Sequence, residues 1–334
     1  MRIFYLLLCM ISSLSAYDVI IIGGGPAGLS CAIYLGRAGI KTCVLEGAYP
    51  GGMIAKSHFV ENWPGEEGIS GIALAENIRK QAQKNGAVLL VAEALSVDFT
   101  RRPYAVVAQE LYTKKTRTFK APYMVIAMGS SPNFLNIPGE NTYFGKGVST
   151  CAVCDGAFYA GKKVAIVGGG DSAILDADYL SNIAEEVHIF VRKPFLKATE
   201  IRRKNGVLAK KNVFLHRKAV LEKILGDDHG VTSIQVMENG QPQRYSVHGV
   251  FLAIGSKPNT ELFRKKVSLT PSQHIAIDAS QETSKKGVYA IGDIVDPIYQ
   301  QAICAAGDGA KAAINIQRSL GNDLVAAENV EASH

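Results

Sequence analysis

The 334-residue sequence predicts an α/β fold of two parallel-sheet units, the second inserted in the first, on three observations. The segment YDVIIIGGGPAGLSCAIYLGRAGIKTCVLEG runs a β-branched stretch into glycines, then apolar positions at helical spacing, then another apolar stretch. That order reads strand, turn, helix, strand. The segment KVAIVGGGDSAILDADYLSNIAEEVHIFVRK repeats the plan, with Gly168 placed 145 residues after Gly23. Finally, GVYAIGD and the small-residue run QAICAAGDGAKAAINIQ fit the second unit poorly, so the chain is expected to return and complete the first. Crossings near residues 130 and 249 then give a first domain of 17–130 and 250–322 and an inserted domain of 131–249. A helix is expected near Gly71 to Lys84, and residues 323–334 are expected to fray as a flexible tail.

Length and a 47% hydrophobic content allow two cores rather than one. The net charge of +6, with clusters at Arg192-Lys193, Arg202-Arg203-Lys204 and Lys210-Lys211, suits a phosphate-bearing ligand. Solvated surface charge accounts for the last two clusters, and no aromatic-rich basic stripe points to nucleic acid. Six cysteines are too sparse for a disulfide scaffold, and Cys9, Cys31, Cys43 and Cys304 are expected as buried thiols. Residues 1–16 combine Arg2, an apolar run and small residues, the pattern of a short signal peptide, and the run is too short to span a membrane stably. The ligands argued below are cytosolic resources and Met10 offers an alternative start, so a cytoplasmic location is expected, with export or organellar targeting as the alternative.

The first glycine motif, Gly23-x-Gly25-x-x-Gly28, follows a strand and opens a helix, which makes it a Rossmann-like dinucleotide fingerprint. Gly23 permits the turn, Gly25 lets backbone approach a pyrophosphate, and Gly28 allows helix to pack on strand. The helix start offers unpaired N–H groups to the phosphates. Glu46, 23 residues past Gly23, can accept hydrogen bonds from a ribose diol. Near the end of the chain, Gly292-Asp293 at the end of a strand can bind a polyol chain, and the helix beginning near Gln301-Ala302 can aim its dipole at a reduced flavin ring.

The second fingerprint is Gly168-x-Gly170-x-x-Ala173. The position matching Glu46 is Val191, and Arg192, Lys193 and Lys197 follow, so a 2′-phosphate suits this site better than a bare ribose hydroxyl and NADP(H) is expected. Cys151-Ala-Val-Cys154-Asp155 lies shortly before the strand that feeds this fingerprint. No second C-x-x-C or H-x-x-x-H offers zinc ligands, so the pair reads as redox-active and no metal is expected. One thiolate of such a pair attacks a disulfide, the other resolves the mixed disulfide, and Asp155 can supply the proton.

Taken in order, GGGPAG, VENWPG, IPGE, CAVCDG, GGGDSA, YLSNIA, AIGSKPNT and GVYAIGD make residues 17 to 320 resemble the low-molecular-weight, bacterial-type thioredoxin reductases, of the pyridine nucleotide-disulfide oxidoreductase family. The most specific part is the C-A-x-C-D-G run just before the nicotinamide-binding glycines. The resemblance implies FAD in the first domain, NADPH in the second, and a homodimer whose domains rotate between half-reactions. It extends the FAD set to Pro26, Ala27, Gly52, Asn62, Gly129 and Gly292, and the NADPH set to Asp171 and Ser172. It also implies that Cys154 faces the flavin, Cys151 attacks thioredoxin and Asp155 is the acid. Several positions depart from the family: Met53, Gln300, Val191, Lys193, Lys197 and the Leu175-Asp176 pair in place of two glutamates. Alternatives left open are a dithiol oxidase of the same fold, a reductase of another protein disulfide, and a non-catalytic flavin-binding redox sensor.

Overall fold

A computed structural model describes residues 16–57 and 59–331, with side chains described through residue 323; the N-terminal extension, with Cys9, lies outside the described residues apart from residue 16. The chain divides into two units. The first comprises residues through Lys56, Gly71–Ser130 and Pro258 onward; the second comprises Ser57–Ser70 and Ser131–Lys257.

The VIII run, Val19–Ile22, is fully buried and forms the central strand of the first unit's parallel sheet. From edge to edge that sheet runs Val288–Ala290, Tyr123–Ile126, Val19–Ile22, Thr42–Leu45, Val88–Leu90. A parallel strand covered on both faces needs a continuous apolar run, which these segments supply. The helix Pro26–Arg37 leaves the central strand with proline at its start, where a missing N–H costs nothing. Gly71–Lys84 forms a helix with the expected bounds. The antiparallel strands Ala92–Asp98, Tyr104–Glu110 and Thr116–Ala121 form a separate three-stranded sheet.

The closing helix, Ala302–Glu331, packs along Pro26–Arg37 at small residues: a Cβ on Gly309 would stand 2.2 Å from the Ala27 carbonyl oxygen. It does not end at residue 323 as the flexible-tail expectation has it. Asp323 accepts the Tyr123 hydroxyl at 2.6 Å and pairs with Arg102 at 3.3 Å, fastening the helix to the sheet it covers.

The second unit repeats the plan. Its parallel sheet runs Val213–Arg217, Glu186–Val191, Lys163–Val167, Gly249–Leu252, Val148–Ser149, again with the fingerprint strand central. Gly249–Leu252 pairs with Lys163–Val167 in this sheet, so the chain leaves the second unit after Lys257 rather than near 249. Ser57–Ser70 also groups with this unit, because Phe59 packs edge-on against Phe158 and is itself abutted by Gly68. An antiparallel sheet of Ala219–Asp227, Gly230–Glu238 and Gln241–Ser246 completes it.

Candidate functional site

Cys151 and Cys154 form a disulfide with their Cα atoms 5.3 Å apart. Cys151 caps the single helical turn Ala152–Asp155 in extended backbone, and the Cys154 N–H donates to its sulfur at 3.1 Å. An amide aimed at sulfur favours the thiolate when the pair is reduced. Ser149 stands behind this turn. Its hydroxyl donates to Asp155 Oδ2 at 2.5 Å, and its oxygen accepts the Cys151 N–H at 3.0 Å. Burial pushes the Asp155 carboxyl above its ordinary range, and the Ser149 bond pulls the other way. The Tyr159 hydroxyl is pushed up to about 12, first by burial and then by Asp155. Gly156 follows because a side chain there would strike Tyr179 and Leu180, on the helix Asp171–Leu180. On that same helix burial alone raises Asp176 to about 7.

In the first unit the fingerprint glycines divide by role. Gly23 holds a φ of +119° with the Ala127 carbonyl oxygen 2.1 Å from where a Cβ would sit, and a Cβ at Gly28 would meet the Gly23 carbonyl oxygen at 2.0 Å. These two close the turn. Gly25 is different: a Cβ there finds only the Gly52 Cα, at 3.9 Å, and the helix start beside it has no side-chain cap. Open space at the middle glycine, facing free N–H groups, fits the pyrophosphate of FAD. Pro26 opens that helix, and Gly292 brings Asp293 up to Ala27, a Cβ at Gly292 lying 3.0 Å from the Ala27 side chain. Burial raises Asp293 to about 6, with Asp296 adding to it and Ser130 opposing. A buried carboxyl in that state fits a polyol hydroxyl. Gly129 takes the Asn259 N–H on its carbonyl, and Gln301 offers its carbonyl to Ala305 at the start of the closing helix, one residue before Ala302.

Two expected contacts stand differently. Glu46 is buried, and both of its oxygens are held by Arg79, at 2.7 and 2.9 Å, which leaves a ribose only their remaining lone pairs. Asn62 belongs to the second unit with Ser57–Ser70, not to the unit that carries Gly23 and Gly25.

In the second unit Gly168 closes the turn under the Ala253 carbonyl, while a Cβ at Gly170 would meet nothing within 4 Å. The helix that follows has Asp171, Ser172 and Ala173 in its first turn and no side-chain cap. Asp171 accepts the Thr199 and Glu200 N–H groups and the Thr199 hydroxyl, which holds its carboxyl below the usual range. Lys197 and Ala198 donate their N–H groups to the Gly169 carbonyl, so the loop carrying Lys197 is folded onto the fingerprint. Val191 packs against Gly169, and Arg192 and Lys193 follow it at the strand's end, exposed. The neighbouring strand adds Arg217, paired in register with Val191, and Lys218, whose N–H donates to the Lys193 carbonyl at 3.3 Å. Five cations therefore gather near one fingerprint, a setting that fits a 2′-phosphate.

Sequence reasoning missed Ser149, Arg79, Arg217 and Lys218. Arg217 and Lys218 could be found by aligning the carboxyl ends of successive parallel strands. For Ser149 and Arg79 no motif gives the signal, since their partners are set by folding.

The remaining cysteines divide. Burial raises the Cys31 thiol well above its ordinary range and pushes Cys43 up to about 12, as expected of inert core thiols. Cys304 corrects that expectation: it is exposed, because Ala305, Ala312, Ala313 and Ile316 take the buried face of its helix. Among the described residues no group of side chains has metal-ligand geometry, and no helix is long and apolar enough to cross a membrane.

The family model for pyridine nucleotide-disulphide oxidoreductases matches residues 17–309. A thioredoxin reductase of Coxiella burnetii is 36% identical, the match covering 91% of this chain and 96% of the relative. A protein of Pseudomonas fluorescens named glucosaminate ammonia-lyase is 38% identical over 90% of this chain and 95% of its own. Among solved structures, a thioredoxin reductase from Giardia duodenalis superposes with a TM-score of 0.84 at 36% identity, covering 91% of this chain and 99% of that one.

Proposed function

We infer the activity from a chain that belongs to the pyridine nucleotide-disulphide oxidoreductase family: it is an NADPH-dependent thioredoxin-disulfide reductase that uses FAD. The observation that carries this reading is the Cys151–Cys154 disulfide, set on one helical turn with the acid Asp155, just ahead of the second fingerprint. When bound, NADPH would supply a hydride and FAD would relay its two electrons to that disulfide.

The chain's own residues account for the rest. Gly25 and the helix start after it would hold FAD, and Asp293 would accept a hydrogen bond from its polyol or donate one to it. Gly170 and the Arg192, Lys193 and Lys197 group would hold NADPH. In the reduced protein the Cys151 thiolate attacks one sulfur of the partner disulfide, making a mixed disulfide and releasing a thiolate that takes the Asp155 proton. Cys154 then attacks Cys151 Sγ, re-forming the intramolecular disulfide and freeing the second partner thiol. Two electrons leave the cysteine pair and the partner ends as a dithiol.

The ammonia-lyase name of one relative does not displace this reading. Elimination of ammonia is redox-neutral and would leave the cysteine pair without a role. The finer assignments are proposals too. Tyr34 and Ile303, each exposed on one of the two packed helices of the first unit, support a homodimer. Reliance on NADPH supports a cytoplasmic location.

The deciding experiment follows NADPH oxidation by purified protein with and without oxidised thioredoxin, with NADH as the control. Oxidation that depends on thioredoxin is expected. Ammonia release from glucosaminate, with no thioredoxin-dependent oxidation, overturns the reading.

A further inference from the structure

We propose that Ser149 is a positioning residue for thiol exchange, its one hydroxyl tying the attacking cysteine to the acid that serves it. This rests on the reading that Cys151 attacks and Asp155 donates.

The geometry is specific. Ser149 is 5% exposed and ends the strand Val148–Ser149, in register with Phe251 in the parallel sheet, so its position is set by the sheet rather than by the loop that follows. A hydroxyl carries one proton. The Asp155 oxygen at 2.5 Å competes for it against the Cys151 carbonyl at 3.3 Å, and the shorter bond wins. The oxygen's lone pairs then remain for the Cys151 N–H at 3.0 Å. With Oδ2 of Asp155 occupied by a donor, Oδ1 is the oxygen left to carry a transferable proton.

The bridge matters most when the disulfide is open. In the oxidised protein the S–S bond joins Cys151 to the turn that carries Asp155. Reduction removes that link. What then holds nucleophile and acid in register is the Ser149 bridge, with the Asp155 N–H on the Cys151 carbonyl at 3.1 Å and the Cys154 N–H on the Cys151 sulfur. Fixed placement of a nucleophile and its acid is where much of the rate of such a step originates.

The test is Ser149→Ala beside Ser149→Thr, which keeps the hydroxyl and suits a strand. Three readouts are taken: FAD content and the rate of flavin reduction by NADPH, turnover with thioredoxin, and its pH profile. For Ser149→Ala, FAD content and flavin reduction are expected to stay at wild-type values, because neither uses the cysteine turn. Turnover should fall on the order of tenfold, a part of what acid catalysis supplies. Loss of the bond that favours the charged carboxylate should move the alkaline limb, where Asp155 loses its proton, to higher pH. Titratable groups on the elements around Asp155 are Cys151 and Cys154 on its own turn, Tyr159 just beyond, and Asp176 and Tyr179 on the helix packed against it, with Tyr179 abutting Gly156. Tyr159, at about 12, stays neutral in the working range, and repeating the comparison in an Asp176→Asn background removes the group at about 7. Ser149→Thr should restore both turnover and profile.

Wild-type turnover and an unshifted profile in Ser149→Ala overturn the proposal, as does a Ser149→Thr variant as slow as Ser149→Ala, which would assign the loss to packing. A wild-type protein without thioredoxin-dependent NADPH oxidation overturns the functional reading, and this proposal with it.

Discussion

Arg79 grips Glu46 with both arms of its guanidinium, Nε to Oε1 at 2.7 Å and the terminal nitrogen to Oε2 at 2.9 Å, and the Glu46 side chain has no exposed surface. Removing the cation leaves a buried carboxylate without the guanidinium that holds both its oxygens. Arg79→Ala is expected to cost about 3–5 kcal/mol of stability, read from urea unfolding. Adding Glu46→Gln to that variant removes the stranded charge and should recover part of the loss. Full stability in Arg79→Ala would mean the pair is not formed in solution.

Asp293 makes the flavin-free protein sensitive to pH in a definite direction. Its carboxyl in the folded chain titrates at about 6, above the ordinary 3.8, because burial disfavours the charge. Stability from the neutral acid is complete below the unfolded value and is lost as pH rises through 6. In flavin-stripped protein Asp293→Asn should therefore be neutral near pH 4 and stabilising by about 2–3 kcal/mol near pH 8. The same substitution should weaken FAD retention. A stability gain that is equal at both pH values would remove the titration argument.

The fingerprint glycines give a paired prediction. Gly25→Ala places its methyl in open space, so the chain should fold with nearly unchanged stability yet lose FAD. Gly28→Ala drives its methyl into the Gly23 carbonyl and should impair folding itself. Flavin absorbance and thermal unfolding separate the two outcomes, and normal FAD content in Gly25→Ala would dismiss the site.

The two cysteines are predicted to fail differently. With Cys154→Ser, Cys151 still attacks and nothing resolves the product, so a stable mixed disulfide with thioredoxin should appear on non-reducing gels. With Cys151→Ser no such adduct should form, and both variants should retain FAD. Trapping by Cys151→Ser instead would reverse the roles.

NADPH should be preferred over NADH, and Arg192→Ala should erode that preference by raising KM for NADPH alone. A charge-assisted contact is worth about 1.5–3 kcal/mol, roughly 10- to 150-fold, before solvent exposure reduces it. Arg217→Gln is expected to act in the same sense but more weakly. Equal kcat/KM for the two donors in the parent protein would show that these cations serve another purpose.

Both glycine turns, the strand and helix that flank each, and the cysteine-aspartate turn could be read from the sequence because each is local: a β-branched run, a glycine spacing, a C-x-x-C. What sequence could not give depended on contacts between distant segments. Glu46 reads as free for a ribose until folding brings Arg79 to it from the helix Gly71–Lys84. The segment holding Asn62 follows the first fingerprint in sequence, yet Phe59 anchors it to Phe158 in the other unit. Cys304 looked buried by composition, whereas helical phase places it on the outer face. Asp323, the first residue of the expected tail, is held by Tyr123 and Arg102, which lie about two hundred residues earlier in the chain.

Because the first unit is closed by Val288–Ala290 and Ala302–Glu331, its last pieces leave the ribosome after residues 131–257 have already been made. The inserted unit then has all five parallel strands while its neighbour still lacks an edge strand and a covering helix. At that stage the face of Pro26–Arg37 around Ala27 and Cys31, which Gly309 later abuts, is bare apolar surface. Nascent chains stalled short of residue 288 should therefore be held by chaperones at that helix face and be cut there by proteases, with residues 131–257 protected.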